Sequence, residues 1–173
     1  MGFLKKLIVL AVLIGGGLWF YGRQLPREHS ITSSIILVAP IDSVFSLIRA
    51  VGSQAAWWYD VKSVRPLMGK KRESWEQNMG DQLVQFEVTM VVPGSRMVTT
   101  ILNDEQQDWG GTWQYRVFTS SAGTEVQITE QGWVEAPLFR VFMKLRGESR
   151  TVDSFLSSLG AHFGEVVTPR HGS

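Results

Sequence analysis

The sequence contains no cysteine among its 173 residues, which excludes disulfides, thiolate nucleophiles and thiolate metal sites. It also has almost no excess charge, because 17 Lys and Arg residues stand against 16 Asp and Glu residues. A surface that binds nucleic acid needs clustered Lys and Arg to neutralise phosphates. The charge balance therefore predicts neither a nucleic-acid partner nor an acidic one. The densest basic run, 70–72, is predicted to be a solvated turn.

Common catalytic and cofactor signatures are missing as well. The sequence has three histidines, which are far apart: His29, His162 and His171. Since they show no metal-ligand spacing, we expect them to be structural or exposed, and we expect no metal. The segment GESRT at 147–151 begins like a nucleophile elbow but lacks the final glycine. The glycine run at 15–17 lies in an apolar segment and predicts no phosphate loop, so no cofactor is expected.

The N-terminal segment is strongly apolar. Lys5 and Lys6 precede fifteen uncharged residues, 7–21, and Arg23 follows them. At about 1.5 Å per residue this run would reach only about 22 Å, short of the roughly 30 Å hydrocarbon core unless flanking residues extend it. Two interpretations are open, a retained anchor over 1–23 and a cleaved secretory signal.

The residues at the end of the apolar run favour retention. No small-residue cleavage site follows it, and the aromatic residues 19–21 stand there instead, as is typical of a membrane interface. We therefore expect a single-pass protein that contacts the membrane through residues 3–21. Lys5 and Lys6 predict a cytoplasmic N-terminus, which places the remaining chain on the far side, periplasmic or extracytoplasmic in a bacterium.

The rest of the chain predicts one α+β domain. After a polar linker, 24–28, β-branched residues predict a first strand over 29–38. Two short helices are expected over 39–51 and 52–61. Six strands separated by turns then predict a meandering antiparallel sheet. Their ranges are 61–68, 71–78, 81–92, 95–103, 110–118 and 124–135.

One face of this sheet is apolar, and a helix is predicted to cover it. Apolar residues at spacings of three and four run from Pro137 to Phe163, which would give about 40 Å of helix. The segment 147–149 interrupts this stripe, so either the helix bends there or something needs room beside it. Residues 165–173 are predicted to be a flexible tail.

Several segments together resemble a known family. They are APIDSVFSLI after the first strand, WWYDVKSV at the second, GGTWQYRVF near the sixth, TEVQITEQG at the seventh and PLFRVFMKL…TVDSFLSSLGAHFG at the end. In order and spacing the chain resembles the SRPBCC superfamily of START-like, helix-grip proteins over 29–164, in particular its polyketide cyclase/dehydrase-like members. The resemblance implies a curved seven-stranded antiparallel sheet around a long C-terminal helix, here preceded by one transmembrane helix. It also implies a cavity between sheet and helix that holds an apolar ligand.

One polar residue interrupts the apolar face. Strand parity points Glu130 into the predicted cavity, where Gly132 would thin the same wall. Glu148 or Ser149 is expected on the opposite wall. Glu130 could exchange a proton with a bound carbonyl compound. Alternatively, Arg65, Arg146, Tyr115 or backbone donors could hold Glu130, which would then only close a polar spot in the lining.

The resemblance favours a membrane-anchored domain that binds a hydrophobic small molecule or lipid. The alternative is a cofactor-independent cyclase or dehydratase that uses Glu130 as general acid or base, and a third possibility is an empty, well-packed interaction domain. Trp109 is expected in an exposed turn that could border the cavity mouth. The predicted ligand-binding residues are Trp58, Val84, Phe86, Val88, Met90, Trp113, Tyr115, Glu130, Leu145, Ser149 and Val152.

Overall fold

The computed structural model of the chain describes residues 2–80, 82–102 and 107–172. Its helices are α1 (Gly2–Gln24), α2 (Ile41–Arg49), α3 (Pro137–Arg146) and α4 (Arg150–His162), and a 3₁₀ helix covers Val51–Ala56. Its strands are β1 (Glu28–Leu37), β2 (Ser63–Pro66), β3 (Ser74–Asn78), β4 (Leu83–Val92), β5 (Arg96–Ile101), β6 (Trp109–Ser120), β7 (Gly123–Val134) and β8 (Arg170–Gly172).

In this described part of the chain the strands form one sheet in the order β2-β3-β4-β5-β6-β7-β1-β8. Every pair of neighbours is antiparallel. Strands β2 to β7 form the predicted meander, and β1 joins it beside β7. The sequence alone did not show which face of β1 points inward. In the structure Ile35 and Leu37 are buried, so their face points to the core. The α+β class and the seven predicted strands are confirmed, and β8 adds a short eighth.

A bulge in β4 changes one predicted face. Simple alternation placed Met90 on the apolar side with Val88, but the pairing of β4 with β5 shifts between these two residues. Val88 lies opposite buried Thr99, whereas Met90 lies opposite Val98 and is exposed. An extra residue reverses the side-chain direction in the strand beyond it. The prediction that Met90 faces the cavity is therefore wrong.

The C-terminal helix is divided in two, where the sequence predicted one long interrupted helix. Gly147 ends α3 with a φ of 93°, and its backbone N–H donates to the carbonyl of Met143. Only glycine adopts this conformation easily, so the break is fixed at that residue. The two halves then differ in burial. Helix α4 buries its apolar stripe completely, whereas α3 buries only Arg140 and Val141.

Phe155 of α4 lies at the centre of the core. Its ring packs against the rings of Trp57, Trp58, Tyr115 and Trp113 at centroid distances of 5.0, 4.9, 5.5 and 6.3 Å. Tilted and edge-to-face aromatic pairs contribute about 0.5–1.5 kcal/mol beyond the area they bury. This cluster joins α4 to the inner face of β6 and to the turn that follows the 3₁₀ helix.

Helix α1 extends from the domain and is attached to it at one end. Among the described residues only α1 is long and apolar enough to cross a membrane, and its 23 residues would span about 35 Å. Gly22 is its one buried residue, and a side chain there would collide with the carbonyl of Pro137. The guanidinium of Arg140 donates to the carbonyls of Leu25 and Glu135 at 2.5 and 3.2 Å. These contacts fix the end of α1 beside the start of α3.

The C-terminal segment makes specific contacts, in contrast to the flexible tail predicted for 165–173. The Glu165 carboxylate accepts hydrogen bonds from the backbone N–H groups of Val38 and Ala39 at 3.0 to 3.3 Å. Strand β8 pairs with β1, and the Asp153 carboxylate contacts both Ser33 and His171. In this cluster the carboxylate lies between the hydroxyl and the imidazole, so it holds β8 in place and is not arranged as a nucleophilic triad. Ser173 lies outside the described residues.

We expect Phe155→Ala to lower the free energy of unfolding by about 3–5 kcal/mol, because it removes a fully buried ring and leaves a cavity. The matched control is Phe118→Ala on the outer face of β6, which should cost less than about 1 kcal/mol. Guanidinium unfolding of the detergent-solubilised chain, followed by tryptophan fluorescence, measures both. Equal losses in the two variants would contradict the central position of Phe155.

Candidate functional site

A cavity of about 460 Å³ lies between one end of the sheet and the C-terminal helices. Helix α3 and the turn at Gly147 form one wall, and the inward residues of β3, β4, β6 and β7 form the other. The aromatic residues of the lining are Trp58, Phe86, Trp109, Trp113, Trp133, Phe139 and Phe142. The charged residues and histidine of the lining are His29, Asp60, Glu130, Arg146, Glu148 and Arg150.

Five of the predicted ligand-binding residues lie in this lining, namely Trp58, Val84, Phe86, Trp113 and Glu130. The other six lie outside it. Val88, Tyr115 and Val152 are on the predicted face but are buried in the core. Met90 and Leu145 are exposed, the first because of the bulge in β4 and the second because it lies on the outward side of α3. Ser149 is outside the lining, whereas its neighbour Glu148 is in it.

The burial of Tyr115 shows where the cavity stops. Its ring packs against Phe155 at 5.5 Å, so α4 fills the space over the middle of β6. Burial raises the pKa of the Tyr115 phenol well above its usual range, and the nearby Glu130 carboxylate raises it further. The phenol therefore stays protonated at neutral pH. Strand alternation identified the correct face, but it could not tell how far along each strand the cavity extends.

His29 and Glu130 form the polar centre of the cavity. The distance from His29 Nε2 to Glu130 Oε1 is 3.7 Å, and the two side chains are 16% and 18% exposed. This separation is too long for a hydrogen bond. His29 Nε2 and Glu130 Oε2 are both buried and lack a hydrogen-bond partner among the described residues. The burial of such polar atoms costs free energy unless a water or a ligand forms hydrogen bonds with them.

Gly132 makes room for this pair. It lies opposite His29 in the pairing of β1 with β7, and a Cβ atom on it would stand 2.5 Å from His29 Cε1 and 2.6 Å from Nε2. The imidazole therefore rests on the bare backbone of Gly132, next to Glu130 two residues earlier on the same face. Sequence reasoning missed His29, because its neighbour depends on the register of two strands about 100 residues apart. It did identify Gly132 as a thin part of the wall.

Neither arginine that the sequence suggested for Glu130 forms an ion pair with it among the described residues. Arg65 pairs with Glu76 at 2.8 Å. Arg146 lines the cavity at the end of α3, with its guanidinium 5.8 Å from the centre of the Phe142 ring. Within the described residues His29 is the one ion-pair partner of Glu130. The carboxylate is therefore not neutralised by an arginine of its own chain.

Two further expectations concern Trp109 and metal ions. Trp109 begins β6, lies opposite Val134 and belongs to the cavity lining, so it is not confined to an exposed turn. Across residues 2–80, 82–102 and 107–172, no group of three or more His, Asp and Glu side chains is placed to hold a metal ion. The lining therefore combines aromatic surface with charged groups on both of its walls.

Neither a protein-family model nor a curated protein sequence matches this chain. Solved structures do match. The Zhui aromatase/cyclase from Streptomyces sp. R1128 superposes with a TM-score of 0.64 at 14% identity, over 78% of this chain and 93% of that one. Ara h 8.0201 superposes with a TM-score of 0.59 at 11% identity, over 80% and 99% of the two chains.

The di-domain aromatase/cyclase StfQ from the steffimycin biosynthetic pathway gives a TM-score of 0.64 at 9% identity, over 78% of this chain. This chain spans about half the length of that di-domain protein. At such low identities the superpositions establish the fold and leave activity open. The chain therefore has the helix-grip fold that the sequence predicted, in common with these structures.

Proposed function

We propose that this protein is a membrane-anchored domain that binds a hydrophobic small molecule or lipid carrying at least one hydroxyl or carbonyl group. The observation that carries the proposal is the aromatic cavity whose lining includes His29 Nε2 and Glu130 Oε2, buried polar atoms that have no hydrogen-bond partner among the described residues. Helix α1 would hold the domain at the bilayer from which an apolar ligand can be taken up.

The size and lining of the cavity support a small apolar ligand. Its volume of about 460 Å³ falls within the roughly 300–1,000 Å³ that is usual for small-molecule sites. Trp58 and Trp113 are buried residues of its lining, with their ring centres 6.0 Å apart. Large aromatic surfaces of this kind favour a ligand with an apolar or aromatic body.

The polar pair supports a ligand with an oxygen atom at one end. A ligand hydroxyl can donate to Glu130 Oε2, and a hydroxyl or carbonyl oxygen can accept from His29 Nε2 when that nitrogen carries a proton. Either bond removes the unfavourable free energy of a buried polar atom without a partner. The pair would therefore select one orientation of the ligand, with its apolar body against Trp58 and Trp113.

The same pair favours a second candidate function, a cofactor-independent cyclase or dehydratase. The Zhui and StfQ proteins are described as aromatase/cyclases, and the fold similarity makes such chemistry worth testing here. The Glu130 carboxylate would remove a proton from a carbon next to a ligand carbonyl, and protonated His29 would donate its proton to the carbonyl oxygen to give an enol. The enol carbon could then add to a second carbonyl of the same molecule, with the enol O–H proton returning to His29 and the new alkoxide taking the proton held by Glu130.

We expect the full chain, extracted in a mild detergent, to retain an apolar small molecule that native mass spectrometry detects. Val84→Phe should reduce the occupied fraction, because it places a larger side chain in the cavity lining. The matched control is Val98→Phe on the outer face of β5, which should leave the occupied fraction unchanged. A wild-type chain that is always empty, and whose melting temperature no added lipid shifts, would contradict the binding proposal.

We expect Glu130→Gln to weaken the binding of a hydroxyl-bearing ligand by roughly tenfold. The glutamine oxygen still accepts a hydrogen bond, but the loss of the negative charge weakens that bond by about 1.4 kcal/mol. Titration calorimetry with a long-chain alcohol as the probe measures this change. Glu125→Gln on the outer face of β7 is the control and should have no effect. The proposed selection by Glu130 fails if the alcohol and the corresponding alkane respond equally to Glu130→Gln.

We expect Gly132→Ala to displace the His29 imidazole, because the new methyl group would occupy the space of that ring. The binding of the same alcohol should weaken to a similar extent. Gly52→Ala is the control, since a Cβ atom there meets nothing within 4 Å. The NMR signals of the His29 ring should move only in Gly132→Ala. Unchanged His29 signals in that variant would show that Gly132 does not position the ring.

A further inference from the structure

Helix α3 has two apolar sides, which meet at Phe142. One side contributes Phe139, Phe142 and Met143 to the cavity. Leu138 and Leu145 are 52% and 81% exposed and lie outside the cavity lining. Together with Phe142, which is 49% exposed, they follow the spacing of four and three residues that places side chains on one face of a helix. A helix facing only water normally carries polar residues on its outer side.

This exposed face continues from the membrane-length helix. The backbone of Gly22, near the end of α1, is in direct contact with Pro137, the first residue of α3. Arg140 binds the carbonyl of Leu25 at 2.5 Å, so the linker and α3 are held together. The ten residues of α3 extend only about 15 Å from that junction. If α1 crosses a bilayer, α3 lies at the point where the chain leaves it.

The charges of α3 also suit a lipid surface. Its ten residues include three basic residues and no acidic residue. Arg140 is buried in the contact with the linker, whereas Lys144 and Arg146 lie in the last turn. Interfacial helices combine an apolar face with Lys and Arg on the flanking polar side, and they bind more strongly to anionic lipids.

Helix α3 is also the less firmly packed wall of the cavity. Beyond the break at Gly147, α4 buries its apolar stripe in the core, whereas α3 buries two residues. A segment with few buried apolar contacts opens at a lower free energy than the core does. A movement of α3 about Gly147, together with the end of α1 that is attached to it, would open the cavity without disturbing the cluster around Phe155.

We propose that the face formed by Leu138, Phe142 and Leu145 lies in the interface of the bilayer that α1 enters, and that the ligand passes between cavity and bilayer past α3. The second part of this inference rests on the proposed ligand-binding function. The first part concerns only where α3 lies and holds whatever the cavity contains.

The position of α3 can be measured because the chain has no cysteine of its own. Leu145→Cys in the full chain is labelled with a polarity-sensitive fluorophore and reconstituted in phosphatidylcholine vesicles, with and without phosphatidylglycerol. The control is Met68→Cys in the β2–β3 connection, where the side chain is 88% exposed. We expect a blue-shifted emission at position 145 that acyl-chain nitroxide lipids quench, and a water-like spectrum at position 68.

Two results of this labelling would overturn the proposal. The label at position 145 would be as exposed to water as the label at position 68, or it would lie in an apolar environment that lipid-borne nitroxides do not quench. The second result would mean that a protein, such as a second copy of this chain, covers the face of α3.

The exchange route is tested with the double variant Leu138→Asp/Leu145→Asp in the same vesicles. We expect transfer of a pyrene-labelled fatty alcohol between protein and vesicles to slow by at least tenfold, while the amount bound at equilibrium stays unchanged. Met68→Asp is the control. If circular dichroism shows that the double variant does not fold, the milder variant Leu145→Ser replaces it. An unchanged transfer rate would overturn the route. Absence of probe binding in the wild type would instead refute the proposed function, and the labelling result would remain valid.

Discussion

The break at Gly147 divides the helix that covers the sheet into two parts with different tasks. Beyond it, α4 places Phe155 among four aromatic rings and fills the middle of the sheet with a packed core. Before it, α3 turns away and leaves the cavity between its inner side and the strands. A continuous helix would have to keep one direction over both parts. The positive φ of Gly147 permits the change of direction, and the cavity, the buried polar pair and the exposed face of α3 all depend on it.

His29 and Glu130 form a polar pair inside this cavity. A carboxylate and an imidazole face each other there at 3.7 Å, and each has a buried atom without a hydrogen-bond partner among the described residues. Such an arrangement is unfavourable in an empty apolar cavity. The register of β1 and β7 places both side chains there, and Gly132 leaves room for the ring. This local cost is reasonable if a ligand supplies the missing hydrogen bonds. The hydrophobic core around Phe155 includes neither residue, so the packing of the core does not require the pair.

Much of the fold could be predicted from local patterns, because strand alternation, turns and the apolar helix stripe are properties of short segments. The face of Trp113 and Glu130 followed from alternation in the same way. Met90 was misplaced because a bulge reverses the alternation and leaves no clear mark in the sequence. The correct face was predicted for Val88, Tyr115 and Val152, but these residues are buried in the core and do not line the cavity. The boundary between core and cavity depends on where α4 packs. His29 was missed because only long-range strand register brings it to Glu130. The contacts of the tail were missed because Ser33 and Val38, which lie against His171 and Glu165, are distant in sequence.

The central claim is that the cavity between α3 and the sheet holds an apolar molecule. An oxygen atom of this molecule forms hydrogen bonds with His29 and Glu130. A crystal structure of the full chain purified in a mild detergent tests it most directly. The account predicts continuous density beside Trp58 and Trp113 that ends within hydrogen-bonding distance of His29 Nε2 and Glu130 Oε2. It would be contradicted by a cavity that α3 closes with its own Phe139 and Phe142 side chains, with His29 bonded directly to Glu130 and no space left for a ligand.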